Sequence, residues 1–517
     1  MNRANKLPHF TILDLCHAKQ GTNATELAMR YNPPSIMSDR LDPETAIHLL
    51  DLLQAGRLAE CETAARDVTA RFPQFASGWK VLGVALQRQG RLAQAFPVLL
   101  RAAQMLPEDD EAQGNLGLAL LEAGELAQGE RYLRHALDLK PANAMGWNNL
   151  AHALARQGRL AEAEDLQRKA LLREPGNREF VHNLGSILHD QGRIDDAETC
   201  YRDALVLDPL FPHAHWNLGM CRLQQGDFTL GWREYEWRWQ TPRLMAGRSR
   251  YGGVRWTGVE DIAGKTVLLW AEQGLGDTLQ FCRYVEAVAA RGARVVLDVP
   301  QPFLRLLPQL APVNDQTAAL PAYDFHCPLM SLPLALAESG IAPQAPYLHA
   351  DAALTAIWHD LLGAKSRPRA GIAWCGNRHH IQDYRRSIAV EAFMTLAGRD
   401  WEFVCIQAAM SETERSHLDL LACPHFEHLL TDYAETAALI ANLDLVLCVD
   451  TSVAHLAAAM GQPVWLLLSY QADWRWLSGR SDCPWYPGLR IFRQPRLGDW
   501  DSVFAEVRQA LAKGLEQ

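Results

Sequence analysis

Several common chemistries lack their residues in this chain. The 11 cysteines are scattered without one CxxC pair, which removes the usual zinc and disulfide frameworks. Cys375, Cys405 and Cys448 lie in apolar, strand-like runs and read as small core residues. Positive charge is in deficit: the formal net charge is −10. This argues against general nucleic-acid binding, and any basic site must be local. No uncharged apolar run reaches the ~18 residues that a membrane span needs, and no apolar signal-type stretch opens the chain. A cytoplasmic protein without a transmembrane segment is expected.

What is present is length and periodicity. A chain of 517 residues exceeds one compact core and implies two or more domains. With 48% hydrophobic and 21% charged residues it has the composition of a folded protein. Residues 1–41 carry little pattern; Ile12–Ala18 and Thr25–Arg30 could be short helices before Asn32-Pro33-Pro34 interrupts them. From 42 to 245 the chain repeats every 34 residues. Gly56, Gly90, Gly124, Gly158, Gly192 and Gly226 keep this spacing, as do Pro73 to Pro209 and Leu82 to Leu218. In the second unit Trp79, Leu82, Gly83 and Leu86 mark one apolar helical face, and Ala95, Leu99 and Ala102 the facing stripe. Gly90 suits the left-handed position that ends a helix. Pro97 falls early in a second helix, where only a turn without an N–H bond tolerates it. This stretch resembles a tetratricopeptide (TPR) array of about six repeats, an α-solenoid in which each unit buries its face only by stacking on the next.

A second ladder lies inside the first. Asn115, Asn149, Asn183 and Asn217 recur at 34, one residue before the leucines. At 100° per residue they point about 150° from the centre of the apolar stripe, hence outward. They either solvate the helices or bind a peptide backbone, since an amide both donates and accepts. The ladder is similar to one in the nucleocytoplasmic O-GlcNAc transferases, and that resemblance implies an acceptor polypeptide in the groove. Glu111, His152, Arg156 and Asp190 are mixed in charge and add no preference. Trp232, Tyr235, Glu236 and Trp239 in GWREYEWRWQ fall on one helical face and read as an aromatic seam to the next domain. Residues 246–264, with Trp256, read as the linker.

At Lys265 the pattern changes to alternating strands and helices. Thr266–Ala271, GLGD at 274–277, a helix over Thr278–Ala290 and Arg294–Val299 form a βαβ unit. A second series has strands at Ala370–Cys375, Trp401–Ile406, Leu445–Val449 and Val464–Leu468, and a final helix over Ser502–Leu515. Two Rossmann-like domains, 265–365 and 366–517, with ligands at strand carboxyl ends, imply a cleft between them. DLVLCVDTSVAHLAAAMGQPVWLLL at 444–468 reads as strand, turn, helix, strand, and a turn at a helix start suits phosphate.

That stretch resembles the donor-site motif of the bacterial heptosyltransferase-type glycosyltransferases, keeping Asp450, Thr451, His455 and Gly461. GLGD resembles the same family's amino-terminal motif, in which the aspartate is the general base. The resemblance implies a GT-B fold of two Rossmann-like halves and a metal-independent, inverting transfer from a nucleotide-diphosphate sugar to a hydroxyl. It makes Asp277 the base, with Gly276 close to the substrate. Asp277 alternatively only caps its helix, and a helix start would lower its pKa. The loop GNRHHIQDYRRSI supplies Asn377, Arg378, Arg385 and Arg386, a phosphate cradle or a solvated basic loop. Asp450, Thr451, Ser452 and His455 complete the donor site, and Gln407 ends a strand beside it. His379 and His380 line the cleft, with no metal expected and no cofactor beyond the sugar nucleotide. Trp474, Trp476, Trp485 and Tyr486 stack on sugar or close the domain interface. The acceptor is expected on a protein; lipopolysaccharide or glycan assembly, and a non-catalytic scaffold, are the alternatives.

Overall fold

The computed structural model describes residues 43–338, 340–341, 345–378, 383–396, 400–420 and 422–514. The expected short helices before residue 42 and the pair His379 and His380 lie outside the described residues. The chain forms two compact units, divided between Ile187 and Leu188. Among the described residues no helix is long and apolar enough to cross a membrane.

The first unit is built of helical hairpins: α1 (Pro43–Gln54), α2 (Leu58–Arg71), α3 (Ala76–Arg88), α4 (Leu92–Met105), α5 (Asp110–Glu122), α6 (Leu126–Leu139), α7 (Ala144–Arg156), α8 (Leu160–Arg173) and α9 (Arg178–Asp190), whose last residues, from Leu188 on, belong to the second unit. Gly90 adopts φ 74°, and the N–H of Arg91 returns to the Leu86 carbonyl at 3.0 Å, so the left-handed residue closes α3 as its position demands. Helices pair closely because one side of each contact is small: a β-carbon on Gly83 would lie 2.5 Å from Leu99 Cδ2. The helix α4 runs on through Pro97; the carbonyl left without a helical donor belongs to Ala93, on the exposed face.

In the second unit α10 (Ile194–Leu207), α11 (Pro212–Gln225), α12 (Phe228–Tyr235) and α13 (Pro242–Arg248) precede two sheets. The GWREYEWRWQ stretch is not one helix: α12 ends at Tyr235 and residues 236–240 tighten into a 3₁₀ turn. The turn sends Glu236 to Arg238 and Arg255, while Trp232, Tyr235 and Trp239 are buried.

The first sheet contains β1 (Val254–Arg255), β2 (Thr266–Trp270), β3 (Arg294–Val299), β4 (Val313–Asp315) and β5 (Phe325–Pro328), in the order β1-β5-β2-β3-β4, all parallel. Its helices are short: α14 (Leu275–Phe281), α15 (Val285–Ala289) and α16 (Leu332–Ala335). The segment 246–264, expected as a linker, supplies the edge strand β1, and Trp256 in it is fully buried.

After α17 (Ala352–Leu362) the second sheet contains β6 (Arg369–Ala373), β7 (Glu402–Cys405), β8 (Leu445–Val449), β9 (Val464–Leu468) and β10 (Leu489–Arg493). Its order is β10-β9-β8-β6-β7, again parallel throughout. Between them come α18 (Asp383–Arg386), α19 (Val390–Met394), α20 (Glu412–Leu420), α21 (Tyr433–Ile440) and α22 (Ser452–Ala459), and α23 (Trp500–Lys513) closes the domain. Strands β6, β8 and β9 are buried at every position, and β8 and β9 accordingly read as continuous apolar runs.

Strand order reverses between β6 and β8, and in the first sheet between β2 and β5. At such points consecutive connections leave on opposite faces and open a crevice at the strand carboxyl ends. The loops after β6 and β8 are the arginine loop and Asp450-Thr451; the loop after β2 is GLGD. A single apolar cluster joins both sheets to α11 and α12, through Trp232, Phe281, Trp474 and Trp485. That shared core places the last helical segments with the sheets.

Candidate functional site

The two sequence motifs meet. A β-carbon on Gly276 would lie 2.9 Å from His455 Cδ2 and 3.6 Å from the Ser452 Cα, so α14 of the first sheet rests on α22 of the second. Gly276 is there for closeness, not for a left-handed backbone. Phe281 in α14 stands near-edge-on to Trp232 at 6.0 Å, and Trp232 near-edge-on to Trp474 at 5.3 Å, which holds the two motifs in register.

Asp277 occupies the first turn of α14. Its Oδ2 accepts from the Gly274 N–H at 2.7 Å, the capping role the sequence allows. Its Oδ1 lies 2.6 Å from Arg475 Nη2, with side chains 17% and 9% exposed respectively. The lowering expected of a helix start does not prevail. Burial raises the Asp277 pKa above the ordinary carboxylate value, against the opposing pull of Arg475. A base with more driving force than a solvated aspartate results.

Asp450 follows β8. Burial, then the neighbouring Asp473, pushes its carboxyl up to about 6. Thr451 caps α22, its hydroxyl accepting from the Val453 N–H at 3.1 Å. Ser452 accepts from the Tyr433 hydroxyl at 2.5 Å. His455 is 4% exposed, stacked on Trp476 with ring centroids 5.0 Å apart, and its Nδ1 is 3.0 Å from the Tyr486 hydroxyl. Burial, then Arg475, lowers its pKa to about 3. The imidazole is thus neutral at working pH, a hydrogen-bonding group and not a cation.

The arginines of the loop after β6 part ways. Arg386 Nη1 donates to the Asp450 carbonyl at 3.1 Å, across the crevice between β6 and β8. A β-carbon on Gly376 would lie 2.5 Å from Arg386 Nη2, so the guanidinium rests on the Gly376 backbone. Arg385 instead pairs with Asp190 Oδ1 and Oδ2 at 2.8 and 2.7 Å and with Gln471. Asp190, expected in the helical groove, is engaged here. Arg378 turns to Glu414, 2.5 Å away. Asn377 is exposed on the loop. Gln407 accepts from the Cys375 N–H at 3.3 Å and so props the loop's start. Trp474 and Trp485 belong to the aromatic core, while Trp476 and Tyr486 line His455.

Sequence reasoning passed over Arg475. It stands between two of the tryptophans, and the one signal for it is a cation inside an aromatic run. Its guanidinium lies over the Trp474 ring at 4.3 Å.

The asparagine ladder is half-buried at each step. Within the first unit Asn183 donates to the Asn148 Oδ1 at 2.9 Å, and Asn148 to the Asn149 Oδ1 at 3.3 Å. Two rungs are therefore cross-linked through a neighbouring amide, where full outward projection was expected. Asn217 belongs to the second unit.

Fold and motifs define a helical repeat array followed by a two-sheet α/β region, and comparison with known proteins matches each part in turn. Tetratricopeptide-repeat models match residues 48–110, 115–178 and 185–226. A model of glycosyltransferase family 9 (heptosyltransferase) matches residues 429–472, the span from α21 to the end of β9 and the turn beyond it. The chain carries TPR repeats, and the short family 9 match suggests a glycosyltransferase. It is 26% identical over 311 residues to Protein FlbA of Caulobacter vibrioides, across 54% of this chain and 52% of FlbA. The chain thus spans about half the length of the curated relative it matches. Among solved structures it is similar to the APC/C hetero-tetramer Cut9-Hcn1, with 18% identity, 46% of this chain, 47% of that chain and TM-score 0.36. It is also similar to a thermophilic TPR protein of Thermus thermophilus, with 24% identity, 34% and 96% covered and TM-score 0.31.

Proposed function

We propose that this chain is an inverting glycosyltransferase of GT-B type. It would move a sugar from a nucleotide-diphosphate donor to a hydroxyl on a protein held by the TPR groove. The observation that carries the reading is the approach of GLGD to the His455 helix, which sets a carboxylate of one sheet against the phosphate-suited turn of the other. The acceptor hydroxyl gives its proton to Asp277 as its oxygen bonds to the anomeric carbon. The bond from that carbon to the diphosphate oxygen breaks from the opposite side, and the nucleoside diphosphate leaves with the electron pair. Arg386 and the N–H groups at the start of α22 take up the charge that develops on the leaving group. Neutral His455 is available as a donor or acceptor to the sugar nucleotide.

The binding test is a thermal-shift screen across nucleotide sugars, in which a ligand of the native state raises the midpoint. Transfer is then assayed with Asp277→Asn, which is expected to lose turnover and retain donor binding. Loss of both would count against Asp277 as the base. Product on lipid or polysaccharide would move the acceptor to glycan assembly, and donor binding without turnover on any acceptor would favour a scaffold.

A further inference from the structure

We propose that Arg475 is a second diphosphate-binding guanidinium of this cleft, held by the candidate base Asp277 until the donor arrives. The assignment rests on the nucleotide-diphosphate reading of the cleft and adds a residue and an order of events to it.

The two partners of Arg475 differ in kind. Asp473 is local: its Oδ1 takes the Arg475 backbone N–H at 3.0 Å and the Nη1 at 2.7 Å, so it shapes the turn and neutralises the guanidinium by itself. Asp277 comes from the other sheet and takes Nη2 at 2.6 Å. It needs no such partner for its structural work, because its other oxygen already caps Gly274. The Asp277 bond is therefore the one that can break without unmaking either loop. The Trp474 ring beneath the guanidinium and the Asp473 carboxylate beside it keep Arg475 in place when Nη2 lets go.

Charge gives the reason to exchange partners. Asp277 and Asp473 pair with Arg475, Asp383 pairs with Arg386 at 3.1 Å, and both guanidiniums lie near enough to Asp450 to favour its ionised form. As it stands the crevice does not attract a dianion. A diphosphate that receives Nη2 of Arg475 gains a planar, charge-assisted donor, and Asp277 is released toward the acceptor hydroxyl. The base thus becomes available once the donor is in place.

The experiment is calorimetric titration of the full chain with UDP, ADP, GDP and inorganic pyrophosphate, using wild type, Asp277→Asn, Arg475→Met and the double variant. Freed from its carboxylate, Arg475 in Asp277→Asn is expected to tighten nucleoside diphosphate binding on the order of five-fold. Arg475→Met weakens it, and the gain from Asp277→Asn vanishes in the Arg475→Met background. Unchanged or weaker binding in Asp277→Asn overturns the proposal, and so does a gain that persists without Arg475. If Arg475→Met does not fold, the single variant Asp277→Asn decides by the same criterion. Wild type that binds none of these diphosphates overturns the donor reading together with this one; binding without the predicted coupling overturns this one alone.

Discussion

Gly276→Ala puts the meeting of the two motifs to a test of sign. In isolation the change should stabilise. Gly276 lies in the first turn of α14 with an ordinary backbone, and Ala over Gly in a helix is worth up to about 1 kcal/mol. Against this stands one methyl group 2.9 Å from His455 Cδ2 and 3.5 Å from its Nε2. The ring has nowhere to go, since it is stacked on Trp476 and bonded to Tyr486. Overpacking at a site that cannot yield costs about 1–3 kcal/mol. The net expectation is a loss of about 1–2 kcal/mol, with weaker donor binding as α14 and α22 are pressed apart. The assay is denaturant unfolding followed by tryptophan fluorescence, which reports on the second unit because all tryptophans except Trp79 and Trp147 lie there. Gly252→Ala is the control: nothing lies within 4 Å of its β-carbon position, so it should be neutral or slightly stabilising. A Gly276→Ala variant as stable as wild type, with unchanged donor affinity, would refute the packing of GLGD on the His455 helix.

Other expectations follow from the same geometry. Asp450 titrates near 6 in the fold against 3.8 when unperturbed, so its contribution to stability is present below the unfolded value and lost as pH rises through about 6. Asp450→Asn should flatten that limb of a stability-against-pH profile. Trp232→Ala opens the seam against Phe281 and Trp474 and should cost about 3–5 kcal/mol in the second-unit transition. Asp190→Asn leaves Arg385 without its paired carboxylate and should lower stability by about 1–3 kcal/mol, read by the same fluorescence. Because arginines are assigned the diphosphate charge, a chelator such as EDTA should leave transfer unchanged; abolished transfer restored by a divalent cation would refute that assignment.

Much of the fold is legible in particular residues. The positive φ of Gly56 through Gly226 follows from their place after each first helix, and β8 and β9 fall where the uninterrupted apolar runs place them. Short or mixed strands were harder. β4, β5 and β10 carry polar residues or stand at sheet margins, so no clean period announces them. The helix read as Thr278–Ala290 breaks at residues 282–284 because Cys282, Arg283 and Tyr284 are all buried, a demand set by neighbours far away in sequence.

By itself the sequence determined the repeat, the two βα series and the motifs at their strand ends, since each depends on periodicity and turn chemistry within a few residues. Tertiary structure alone decided which charges meet. It divided adjacent Arg385 and Arg386 between Asp190 and the Asp450 carbonyl, drew Arg475 onto Asp277 and reversed the expected pKa shift of that aspartate. Ion pairing and desolvation depend on distance and burial in space, and neither is written in the spacing of residues along a chain.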